Sequence, residues 1–115
     1  MVSPLPLNRA LLGLHDGALV ASVELQHWDG VKRHLGRVRV YWPFVVFRCT
    51  HNAYNITHAL SGYHVQDVRR LGEAVSLIVK LRACADWNFR SGQSKKARAA
   101  CRSAKHLVRP LVQVT

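Results

Sequence analysis

The stretch RVRVYWPFVVFRC, residues 37–49, is the most β-prone segment of the chain, and the rest of the fold is read outward from it. Val38, Val40 and Trp42 alternate with Arg37, Arg39 and Tyr41, the period of a strand with one buried and one solvated face. On that parity Val38, Val40 and Trp42 point into a core. Arg37, Arg39 and Tyr41 then form an outer face that can grip phosphates and stack a base, although an ordinary solvated strand face has the same pattern. Phe44, Val45, Val46 and Phe47 are apolar on both sides, as in a central strand covered on both faces. The other reading of residues 44–47 is an exposed edge, which would pair with a second copy and give a homodimer. Pro43 cannot donate to a ladder, so a bend, bulge or edge is expected there.

Upstream, residues 18–27 alternate, with Leu19, Ala21, Val23 and Leu25 on one face and Ser22, Glu24 and Gln26 on the other. Trp28, Asp29 and Gly30 supply a turn, and Lys32, Arg33 and His34 form a basic loop before the next strand. Residues 1–8, with Pro4 and Pro6, read as an extended or flexible tail. Downstream, residues 55–60 and 63–66 flank Ser61 and Gly62, a two-residue hairpin turn. Asp67 is placed to cap a helix over residues 67–85, whose broad apolar arc of Leu71, Ala74, Val75, Leu77, Ile78 and Leu81 suits a helix laid on a sheet. A last helix over residues 94–108 ends before Pro110. The expected architecture is α+β: an antiparallel sheet of four or five strands in the N-terminal half, packed by two C-terminal helices, the last one basic.

At 115 residues, 49% hydrophobic and 20% charged, the chain can bury one core, so a single domain over residues 1–115 is expected and wholesale disorder is excluded. The three cysteines are an odd number without a C-x-x-C pair, which points to a reducing, cytoplasmic compartment. No signal peptide is evident, and the longest apolar run is far too short to cross a bilayer.

The charge is the sharper feature. Seventeen Lys and Arg stand against six Asp and Glu, a net +11 that favours polyanionic partners. Residues 1–57 carry +3 (six basic, three acidic) and residues 58–115 carry +8 (eleven basic, three acidic). Residues 90–109 hold seven basic residues and no acid. On a helical wheel Lys95, Arg98, Arg102, Lys105 and Arg109 fall opposite Ala97, Ala100, Cys101 and Ala104. Arg98 and Arg102, like Lys105 and Arg109, are four apart with no Glu between them, so they repel. Lys95 and Lys96 occupy a first turn where the helix dipole disfavours cations. A phosphate arriving at that helix start reverses both penalties.

Catalytic and metal patterns are weak by comparison. Cys49, His51, His58 and His64 match no closed zinc spacing, and in the expected hairpin register His58 and His64 point to opposite faces. The acids are scattered, and no phosphate loop or nucleophile motif is present. These observations imply no metal, no cofactor and no enzyme. They favour a small nucleic-acid-binding protein, for DNA or RNA, using Lys95, Lys96, Arg98, Arg102, Lys105 and Arg109, with Arg37 and Arg39 extending the surface. The alternative is an accessory or inhibitory module, of the type phages and mobile elements encode, docking on an acidic protein groove. A membrane role ranks last, because the apolar side of the basic helix is built of small residues.

Overall fold

In a computed structural model the described residues are 14–26, 32–49, 52–90 and 94–108, with side chains described for all of these except 21–26 and 32–35. They form a five-stranded antiparallel sheet in simple meander order, followed by two helices. The strands are β1 (Ala18–Gln26), β2 (Lys32–Tyr41), β3 (Phe44–Arg48), β4 (Tyr54–His58) and β5 (Tyr63–Val68). The helices are α1 (Leu71–Cys84) and α2 (Lys95–Ala104). The α+β architecture expected from the alternation is therefore what the chain adopts. The expected tail at residues 1–8 and the cation Arg109 lie outside the described residues.

The deciding stretch is not one bent strand but a hairpin. Trp42 and Pro43 form a two-residue turn, and Tyr41 pairs directly with Phe44. Pro43 thus sits where no ladder donor is required. β3 is an interior strand, paired with β2 over residues 44–46 on one side and with β4 on the other. Its side chains divide between two cores. Phe44 and Val46 join the helix-side core with Tyr41, Ile56, Ile78 and Leu81, whereas Val45 packs with Val38, Val40 and Ala59 on the opposite face.

That division corrects two orientations. Tyr41 is not an outer-face residue. It is 8% exposed within the helix-side core and is unavailable for stacking a base. Trp42, half-buried in the turn, packs against the core of Val38 and Val40, as their shared parity predicts. At the root of β1 the buried parity is that of Ala18 and Val20, while Leu19 is 51% exposed. The cause is β2: Ala18 and Val20 pair with Val40 and Val38, which are fully buried, so the shared register places them on that core's face.

The β4–β5 connection also differs from a two-residue turn. His58 pairs with Tyr63, leaving residues 59–62 as the loop. Gly62 adopts φ +74°, and its N–H donates to the His58 carbonyl at 2.8 Å. The Ser61 hydroxyl also accepts from the Tyr63 N–H at 3.1 Å. Those bonds favour the wider loop. His58 and His64 still face opposite ways: His58 is fully buried, whereas His64 is exposed and bonded to Asp67 at 2.9 Å. Asp67 is accordingly a β5 residue, not a helix cap; α1 begins after Arg70, without a side-chain cap. Lys32, Arg33 and His34 lie within β2 rather than in a loop.

His58 is the polar centre of the helix-side core. Its ring packs among Phe44, Trp87 and Phe89, with centroids 4.5 to 5.7 Å away. Nε2 lies 2.7 Å from the Trp87 carbonyl, which can only accept, so Nε2 carries the proton. Nδ1 then accepts from the Ser61 hydroxyl at 2.7 Å. Burial pushes its pKa down to about 4, against the smaller opposing effect of the carbonyl contact. Trp87 and Phe89, which follow α1 in what reads as a helix break, are 5% and 6% exposed and seal this end of the sheet.

Candidate nucleic-acid interface

α2 owes its start to Ser94, whose hydroxyl accepts from the Ala97 N–H at 3.1 Å. Its inward side is alanine: Ala97, Ala100 and Ala104 are 1%, 1% and 3% exposed. Such small side chains let the helix backbone approach the domain closely. A cleft of about 200 Å³ lined by Tyr63, Val65, Cys101, Ala104 and Lys105 marks where it runs beside β5. Burial raises the Tyr63 phenol pKa, with the Cys101 thiol beside it adding to the shift.

The outward side collects the predicted cations. At 100° per residue, Lys95, Arg98, Arg102 and Lys105 fall within about 80° of arc, opposite the buried alanines. All four are exposed, and among the described residues none has an acidic partner. Lys96 leaves the group, flanking the arc and approaching Asp86 at 3.3 Å. The Asn88 N–H and then Lys96 hold the Asp86 carboxyl below its usual pKa. Because this acid is exposed, an incoming phosphate can compete for Lys96.

Arg37 and Arg39 do not join that arc. They lie on β2, three strand spacings from β5, or about 14 Å across the sheet. The Arg39 guanidinium turns back to donate to the Gly17 carbonyl at 3.1 Å. Arg37 is exposed and adopts φ +55°, a left-handed conformation that costs a non-glycine residue about 1 kcal/mol or more.

A second group of cations emerges only from the strand register. Continuing the Arg39–Val46 pairing by two residues brings Arg37 level with Arg48. Arg48 pairs with Tyr54, and Tyr54 with Val68. Arg69 and Arg70 follow Val68 directly. Arg37, Arg48, Arg69 and Arg70 therefore lie along one end of the sheet, and all four are exposed. A cleft of about 500 Å³ has Val68, Gly72 and Glu73 on one side and His106 and Leu107, which follow α2, on the other. The acids here are Asp67, bonded to His64, and Glu73. The adjacent Arg69 and Arg70 were the one sequence signal for this group; the other members are far apart in the chain.

Among the described residues no three His, Cys, Asp or Glu side chains come together as a metal site, and no helix is long and apolar enough to cross a membrane. No protein-family model, curated protein or solved structure matches this chain.

Proposed function

We propose that this chain is a small, non-enzymatic nucleic-acid-binding protein that holds phosphates on the outer arc of α2. One observation carries the reading. Lys95, Arg98, Arg102 and Lys105 converge on one exposed face, backed by buried alanines and, among the described residues, without neutralising acids. Repulsion within such an arc is relieved by a polyanion, and release of the polyanion's counterions supplies the affinity. The free thiols of Cys49, Cys84 and Cys101 suit action in the cytoplasm.

The test is a binding panel of duplex DNA, single-stranded DNA and RNA at two salt concentrations, comparing the protein with an R98E/R102E/K105E variant. Binding should weaken steeply with salt. The variant should flatten the log–log salt slope by about 3 on duplex DNA, one increment for each lost phosphate contact. Equal binding by the variant would remove α2 from the mechanism. A partner captured by the protein and retained after nuclease treatment would favour an acidic protein surface in place of nucleic acid.

A further inference from the structure

We propose that Arg37, Arg48, Arg69 and Arg70 form a second phosphate-binding surface, and that a single length of nucleic acid runs from the α2 arc onto it. This rests on the nucleic-acid reading and adds to it a second set of contacts and the span of the ligand. The four cations are gathered by the fold. Arg48 pairs with Tyr54 and Tyr54 with Val68, which Arg69 and Arg70 follow, and the β2–β3 register brings Arg37 level with Arg48. The group occupies three strand spacings, about 14 Å, along one end of the sheet.

All four are exposed, and among the described residues none is paired with an acid. Arg48 donates to the Asn52 side-chain oxygen at 2.9 Å, an uncharged partner that leaves its charge uncompensated. Arg37 and Arg48 stand on adjacent strands, about 5 Å apart at the backbone, well inside the screening length of about 8 Å at physiological salt. Repulsion of this kind is relieved by a polyanion, as it is on α2.

The cleft of about 500 Å³ links the two groups. On one side His106 follows directly on Lys105, the last described cation of the α2 arc. On the other, Val68 and Gly72 flank Arg69 and Arg70 in the chain. Glu73 is the one acid among the described residues lining the cleft, and Lys80 lines it too, so the crossing carries no net negative charge. One backbone can therefore pass from Lys105 to Arg69 without leaving the cations. From Lys95 to Lys105 the helical rise adds about 15 Å. With the sheet end this makes a path of about 29 Å or more, the length of roughly nine base pairs of B-form duplex. A ligand must reach that length to engage both surfaces.

The full chain should be titrated with a 20-base-pair DNA duplex and with a DNA hairpin whose stem is six base pairs, about 20 Å long. Eight phosphate contacts on the long duplex predict a log–log salt slope of about −7, against about −4 for the short stem, which reaches one surface at a time. R48E/R69E/R70E should weaken binding of the long duplex tenfold or more and bring its slope towards that of the short stem. Binding of the short stem should fall no more than threefold. R69E/R70E, whose residues lie outside the strand ladders, should show the same selectivity with a smaller loss, and circular dichroism establishes that each variant is folded. Wild-type affinity for the long duplex in both folded variants, or an equal loss on the two ligands, would overturn the second surface and leave the α2 proposal standing. Two long duplexes held by one chain in sedimentation would overturn the single path, since each surface would then hold its own ligand. A protein that binds neither ligand overturns both proposals.

Discussion

The two ends of the sheet have opposite chemistry. At one end, the paired row of Tyr41, Phe44, His58 and Tyr63 meets Trp87 and Phe89, and its buried histidine is neutral and bonded at both ring nitrogens. At the other, Arg37, Arg48, Arg69 and Arg70 lie exposed along the edge of the strand rows. The first end buries an uncharged aromatic cluster and contributes to folding. The second concentrates charge that folding does not require. A basic protein faces self-repulsion, and keeping its cations exposed outside the aromatic cluster allows the core to close without desolvating them.

The strongest test of this division removes the polar centre of the aromatic end. His58→Ala leaves the Trp87 carbonyl and Ser61 hydroxyl without their partner and opens a cavity among rings. Urea denaturation should show a loss of about 3 kcal/mol. Affinity for DNA per folded molecule should not change. A fall in affinity without a fall in stability would mean that the two ends are coupled.

Acid should act through the same residue. The folded-state pKa of about 4 lies below the unfolded value near 6.5, so between these values the unfolded chain binds more protons. This contribution to stability is complete above pH 6.5 and is lost as pH falls towards 4, a change of up to about 3 kcal/mol. Denaturation midpoints measured across that window should fall with acid, and His58→Gln should flatten this part of the profile. Arginine substitutions at the other end should leave its shape unaltered.

A smaller effect is expected at the helix that carries the cations. Ser94→Ala removes the bond to the Ala97 N–H and should cost about 1 kcal/mol of stability. The same urea measurement applies, and a value near that of His58→Ala would mean that α2 carries more of the fold's stability than its alanine face supplies.

The α+β layout and the α2 arc were legible because each is written in local spacing. Alternation along residues 37–49 marks strands, and the alternation of alanine with lysine and arginine over ten residues fixes which side of α2 faces inward. Tyr41 was misread because a turn at Trp42 and Pro43 converts one apparent strand into two, with both faces of the sheet covered nearby. His58 gave no signal because its second partner is a carbonyl 29 residues away. Arg37, Arg48, Arg69 and Arg70 belong to three separate segments, and only the antiparallel register makes them neighbours.

The alanine underside of α2 has a thermodynamic consequence. Ala97, Ala100 and Ala104 each bury little more than a methyl group, of order 1 kcal/mol apiece, so this helix is held to the domain far more lightly than a leucine-faced one. Undocking of α2 is therefore an inexpensive local opening, well below global unfolding. A polyanion that binds the docked helix in preference to the undocked one must, by linkage, fasten it. Occupancy of the surface and order of the segment that presents it then rise and fall together.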